Sequence, residues 1–214
     1  MRNHFNDQLA QLNRELIQMG GLCEEIIEIV ARALTGWEDD LIKRVTTLGA
    51  EIDESERSIE TLCLKLLLQQ QPVARDLRQI SAALKMITDM ERIGDQAEDI
   101  AEIVLYLKGH TMEGMELIED MARETIAMVT ASVDAFVKKD VELAEKVIAQ
   151  DDLVDDYFSK VKHGIISLIA ENSADGEFAL DILMISKYFE RIGDHATNIA
   201  EWVIYSITGV HKEG

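Results

Sequence analysis

Glu91, Asp95, Glu98 and Glu102 follow one another at intervals of four, three and four residues, the spacing that lays side chains along one face of an α-helix. With Glu91 at zero on a helical wheel, Asp95 falls at about 40°, Glu98 at about −20°, Glu102 at about 20° and Asp99 slightly outside at about 80°. Like charges one turn apart oppose helix formation by roughly 0.2–0.5 kcal/mol per pair. A divalent cation would offset that repulsion, because carboxylates are hard oxygen ligands that bind in monodentate, bidentate or bridging modes. The competing reading is a solvated acidic row, or a structural ion pair made by Arg92.

The stripe begins in the pentapeptide ERIGD, Glu91 to Asp95, which recurs ninety-nine positions later as Glu190 to Asp194. The second copy carries Glu190, Asp194 and Glu201 on the equivalent stripe, with Thr197 and Asn198 standing where Glu98 and Asp99 stood. It is therefore poorer in charge by two, which predicts two sites of unequal affinity. Glu91, Asp95, Asp99, Glu190 and Asp194 are the candidate metal ligands, and Asp53 and Asp155 are candidates to complete the shells from a neighbouring helix. His195 lies near 140° on the wheel from Glu190 and fits helix packing or the surface better than the same ion. No Glu-x-x-His pair of the ferritin-like di-iron type occurs.

These residues must be held by helices. One proline, 12 glycines and 5% aromatic residues in 214 leave few turn signals, while apolar residues recur at helical spacing between breaks at Thr35-Gly36, Gln71-Pro72, Gly109 to Gly114, Lys139-Asp140 and Asn172 to Gly176. Five breaks imply six helices. Pro72 suits a first helical turn, and Asp140 and Ser173 or Asp175 suit N-caps. Met86, Met90, Ile93, Ala97, Ala101 and Val104 fall on the core sector beside the acid stripe, with Lys85, Asp89, Arg92 and Gln96 on the far side. Gly94 and Gly193, costly inside a helix, predict close approach of another helix or an ion.

The match between halves extends well beyond the pentapeptide. LKMITDMERIGDQAEDIAEIVLY lies over LMISKYFERIGDHATNIAEWVIY at an offset of ninety-nine, and DDLIKRVTTLGAEIDESERSI over VELAEKVIAQDDLVDDYFSKV at one of 102. The expected fold is all-α, two tandem antiparallel three-helix bundles related by internal duplication, spanning residues 1–109 and 110–214.

A net charge of −20 disfavours nucleic acid and anionic membrane surfaces and favours cations and basic partners. Cys23 and Cys63, far apart in sequence, are expected to be buried thiols. The absence of a signal-like N-terminus or a spanning apolar run predicts a cytoplasmic chain.

The stretch QQPVARDLRQISAALKMITDMERIGDQAEDIAE, with ISKYFERIGDHATNIAEWVIY in the second half, closely resembles the PhoU family of phosphate uptake regulators over essentially the whole chain. The resemblance implies a non-enzymatic negative regulator of phosphate uptake and of the phosphate-starvation response. The resemblance further implies that it links a phosphate ABC transporter ATPase to a membrane sensor histidine kinase and reaches the membrane only through those partners. It also implies iron or zinc at the Glu91/Asp95 and Glu190/Asp194 motifs, and a homodimer, in keeping with the prevalence of two-fold assemblies. Arg75 and Arg78, in PVARDLR, are expected to form ion pairs. A metal-dependent phosphohydrolase and a purely structural scaffold are the alternatives, the former lacking a separate acid-base or nucleophile constellation.

Overall fold

The computed structural model describes residues 2–36, 39–70, 72–107, 116–171 and 176–210. Six long helices run through them: α1 Arg2–Thr35, α2 Asp39–Gln70, α3 Ala74–Val104, α4 Glu116–Lys138, α5 Val141–Glu171 and α6 Gly176–Thr208, with a 3₁₀ turn Leu105–Leu107 closing α3. Among the described residues there is no strand, and no helix is long and apolar enough to cross a membrane. The architecture is two antiparallel three-helix bundles, α1–α3 and α4–α6.

The helix ends follow the local chemistry. The α4–α5 turn is a Schellman motif: the Asp140 N–H donates to Ala135 O (2.9 Å) and the Lys139 N–H to Phe136 O (3.3 Å), with Lys139 at φ 56°. Asp140 then caps α5 as expected, its Oδ1 accepting from the Leu143 N–H at 3.0 Å. Gly209 ends α6 at φ 79°, donating to Tyr205 O at 2.8 Å. Pro72 departs from its expected place: α3 begins at Ala74 with Val73 as its N-cap, so the proline precedes the first turn. Gly109 to Gly114, Ser173 and Asp175, where the inter-bundle junction and one cap were expected, lie outside the described residues.

The two bundles are fused along their length. Asp89 meets His195 and Asn198, Asp99 meets Tyr188, and the Arg78 guanidinium lies against Gly209. These pairings run in opposite senses along α3 and α6 and set the two helices antiparallel. A second seam joins α1 to α4, where a Cβ at Gly20 would stand 3.1 Å from Val133 Cγ2. The apolar core is consequently continuous from Leu12, Leu16 and Met19 through Met86 and Met90 to Val129, Ile185 and Phe189. Each such fully buried side chain contributes roughly 1.5–3 kcal/mol.

This packing overturns one expectation about α3. Asp89 and Gln96, assigned to the face away from the core, are covered because that face meets α6; Gln96 is 4% exposed. The wheel separates an acid stripe from a core stripe within one bundle, but it cannot register a second bundle closing over the opposite side. Cys23 and Cys63 are both buried, and burial is the leading cause that pushes each thiol up to about 12. They are packing residues with no accessible thiolate at neutral pH.

Candidate metal centre

In the first bundle the ERIGD turn of α3 faces the middle of α2. Gly94 permits the approach: a Cβ there would lie 3.1 Å from Ile52 Cδ1 and 3.3 Å from Ile52 Cγ2. The close crossing brings Asp53 and Glu56 of α2 within electrostatic reach of Glu91. The Glu91 carboxyl is raised above its ordinary range, by burial first and by Asp95 next, with Arg92 opposing and Glu56 and Asp53 adding. Glu98 is raised by burial, then by Asp95 and Asp53. Its carboxylate lies over Gly49 of α2, where a Cβ would collide with it.

Arg92 partly neutralises this group. Its Nε stands 3.5 Å from Glu91 Oε2 and its Nη1 3.8 Å from Asp95 Oδ2. Asp53 is likewise 3.6 Å from Arg57 Nη2. These are loose, largely exposed ion pairs of small energetic weight.

The second bundle repeats the arrangement with different donors. Glu190 pairs with Lys187. Asp194 is raised by burial and then by Glu190, with Asp155 also contributing. A residue absent from the acid stripes completes the group: Asp151 of α5, whose carboxyl burial pushes up to about 6, followed by the charges of Asp194, Asp155 and Glu190. Its Oδ1 is buried without a hydrogen-bond partner among the described residues, as is Thr197 Oγ1, one turn beyond Gly193 on α6. A Cβ at Gly193 would lie 3.2 Å from that same Asp151 oxygen.

The register of the repeat explains the exchange. At the offset of 102, Asp151 stands where Gly49 stands in the first bundle, and at ninety-nine Thr197 stands where Glu98 stands. In the first bundle the acid comes from the ERIGD helix and reaches over a glycine on its neighbour. In the second the neighbour supplies the acid and the ERIGD helix carries a threonine. The second group therefore regains one of the two charges its stripe lacks.

Asp99 adds its charge to Glu98 and also reaches the α3–α6 seam. Tyr188 is raised by burial and by Asp99, to which it is hydrogen-bonded across the α3–α6 seam. The related positions give the mirrored contact, Asp89 Oδ1 accepting from Asn198 Nδ2 at 3.1 Å and lying 2.9 Å from His195 Nδ1. Asp99 and Asn198 thus belong to a pseudo-two-fold polar seam, and His195 to helix packing.

The structure brings Glu91 and Asp95 together with Asp53, and Glu190 and Asp194 with Asp155 and Asp151. Among the described residues, however, no three or more Asp, Glu, His or Cys side chains are gathered tightly enough to hold an ion as they stand. The donor chemistry nevertheless fits a hard or borderline cation: oxygen ligands from two helices, several held above their usual range by burial and mutual repulsion, and one buried carboxylate oxygen without a partner.

A protein of two fused three-helix bundles with duplicated carboxylate groups at matched crossings is defined by these features, and comparison with known proteins shows its family. The PhoU domain matches residues 16–104 and again residues 118–203; the chain belongs to the PhoU family. It is 33% identical over 210 residues to the phosphate-specific transport system accessory protein PhoU homolog of Clostridium acetobutylicum, covering 97% of this chain and 96% of that one. It is 33% identical over 207 residues to the homolog of Pseudomonas aeruginosa, covering 96% and 86%. The crystal structure of PhoU from Pseudomonas aeruginosa superposes with a TM-score of 0.91 at 33% identity over 96% of this chain and all (100%) of that one. That of the phosphate transport system regulatory protein PhoU from Streptococcus pneumoniae gives 0.90 at 25% identity, over 98% and 100%.

Proposed function

We propose that this chain is an accessory, regulatory protein of a phosphate-specific transport system. The observation that carries the reading is the similarity at 33% identity, over nearly the full length of both chains, to a relative named for that role. The chain acts without catalysing a reaction, as a cytoplasmic homodimeric adaptor between the transporter ATPase and a sensor histidine kinase. It restrains uptake and starvation signalling when phosphate is plentiful. The strongly acidic surface, net charge −20, suits basic faces on such partners.

Metal binding belongs to the same proposal. Glu91, Asp95 and Asp53 would hold a cation between α2 and α3, and Glu190, Asp194, Asp155 and Asp151 another between α5 and α6. A bound cation supplies positive charge that offsets carboxylate repulsion. The protein's own contribution is to hold two helices at a fixed crossing through Gly94 and Gly193. Asp99 and the polar seam then transmit that geometry from one bundle to the other.

The test is a pull-down of the purified chain with the transporter ATPase and with the kinase, with and without chelator, alongside a phosphate-responsive reporter in a deletion strain. Retention of both partners and derepression of the reporter in phosphate-rich medium are expected. A reporter that stays repressed after deletion overturns the regulatory reading; retention unaffected by chelator overturns the part assigned to metal.

A further inference from the structure

In a chain of 21 lysines and arginines against 41 acids, a base without an acidic partner stands out. Arg44, Arg57, Arg92, Arg123, Lys138 and Lys187 each pair with an aspartate or glutamate. Arg75, Arg78 and Lys139 do not: among the described residues none of the three makes an ion pair, contrary to the expectation for the two arginines. They gather at one end of the molecule, where the first turns of α3 meet the α4–α5 turn and the last turn of α6.

Arg75 and Lys139 line a small cleft there with Gln79, Phe136, Ser206 and Ile207. Its enclosed room is about 10 Å³, the space of a single water, so anything larger sits at its mouth. Gln79 is 7% exposed. Its Oε1 accepts from Lys139 Nζ at 3.2 Å, which leaves the amide NH2 as a donor. Beside the cleft the Arg78 guanidinium lies against Gly209, and its Nε is buried without a hydrogen-bond partner among the described residues. A buried guanidinium nitrogen in that condition calls for an acceptor. Val73 gives α3 no side-chain cap, so the N–H groups that open the helix add positive potential at the same end.

The neighbouring acids do not answer this charge. Asp76 follows Arg75 on the first turn of α3 without pairing with it, and Asp140 gives its Oδ1 to the Leu143 N–H. Nor does the fold demand the bases: at the offset of ninety-nine, Glu177 and Phe178 stand where Arg78 and Gln79 stand, so the repeat begins its third helix without them.

We infer that this cleft binds a small, doubly charged oxyanion of the phosphate type at its mouth, with Arg75, Lys139 and Gln79 as donors and Arg78 as a supporting charge. Three bases leave more positive charge than one carboxylate neutralises, and a guanidinium fork matches the oxygens of a phosphate. The narrowness of the cleft favours a free ion over a phosphate carried on a larger body. The inference stands apart from the acid groups and from the regulatory reading, and the failure of either leaves it intact.

The test is calorimetric titration of the full chain with inorganic phosphate, in chelator so that no cation at the acid groups contributes. Saturable one-to-one binding is expected. Lys139→Asn suits the left-handed backbone at φ 56° and so removes the charge without lowering the melting temperature. Arg75→Gln changes an exposed side chain. Each should weaken binding at least about fivefold, the loss of one charge-assisted contact. Lys162→Gln, at an exposed position of α5, should leave it unchanged. Glycerol phosphate, titrated in parallel, should bind more weakly; tighter binding of the ester overturns the free ion as the ligand. Absence of saturable binding at millimolar phosphate, or binding indifferent to both variants, overturns the proposal. Acetate competing as well as phosphate does also overturns it, in favour of a carboxylate.

Discussion

Asp151 Oδ1 lies 3.2 Å from where a Cβ on Gly193 would stand, and it is buried without a hydrogen-bond partner among the described residues. An ionised carboxylate so placed opposes folding of the metal-free chain. Its folded-state value, about 6, lies above the ordinary 3.8. The penalty is therefore absent below about pH 4, grows as pH rises toward 6 and is complete above it. Asp151→Asn should stabilise the metal-free protein at pH 7 by about 1 kcal/mol, after allowance for the partial exposure of the group, and change little at pH 4. Urea unfolding of both proteins at the two pH values measures the difference; an equal effect at pH 4 and pH 7 would show that the cause is not ionisation.

The same reasoning extends to added cations. Glu91, Glu98, Asp151 and Asp194 are all raised chiefly by burial and then by neighbouring carboxylates, so a cation that binds the folded chain releases protons and raises stability. At a hundredfold excess over Kd the gain is about 2.7 kcal/mol per site, or roughly 5–10 °C in a chain of this size. The shift should be larger at pH 7 than at pH 5. Asp95→Asn should remove the first site's part and Asp194→Asn the second's, as followed by calorimetry with elemental analysis of the protein purified without chelator. No bound metal and no shift would remove metal from the proposed function.

Helical periodicity and the repeated pentapeptide made the six helices, the two bundles and the paired acid groups legible, because each rests on spacing within one segment. Asp151 was hidden for a physical reason. It is far from ERIGD in sequence and aligns with Gly49 rather than with another acid, so only the reciprocal exchange with Glu98 and Thr197 exposes its place. Asp99 shows a second side of the same point: its wheel angle sits beside the acid stripe, and only the neighbouring bundle reveals that it also meets Tyr188 across the seam. Single-helix geometry says which face a residue occupies and is silent on what covers that face.

The seam itself should be energetically distinct from the surface ion pairs. Asp89 accepts from Asn198 at 3.1 Å and meets His195 at 2.9 Å in a half-buried setting. Asp89→Ala leaves both partners without their acceptor and should cost about 2 kcal/mol. Arg57→Ala, which removes loose contacts to Asp53 and Glu54 at 3.6 and 3.7 Å, should cost less than about 0.5 kcal/mol. Chemical denaturation of the two variants checks the contrast, and equal losses would mean that the bundles are held by apolar packing alone.

The glycines of the long helices separate packing from tolerance. At Gly21 of α1 a Cβ would meet nothing within 4 Å, so Gly21→Ala should stabilise by up to about 1 kcal/mol through helix propensity. At Gly94 the same methyl would stand 3.1 and 3.3 Å from two branches of Ile52, a side chain that is itself only 1% exposed and has little room to yield. Overpacking there should outweigh the propensity gain and leave Gly94→Ala about 1 kcal/mol less stable. It should also widen the α2–α3 crossing, so cation-induced stabilisation of the first bundle should weaken while that of the second is retained. Thermal melts of Gly21→Ala and Gly94→Ala with and without cation give both readouts. Stabilisation by Gly94→Ala with an unchanged cation response would mean that the ERIGD glycine is not needed for close approach.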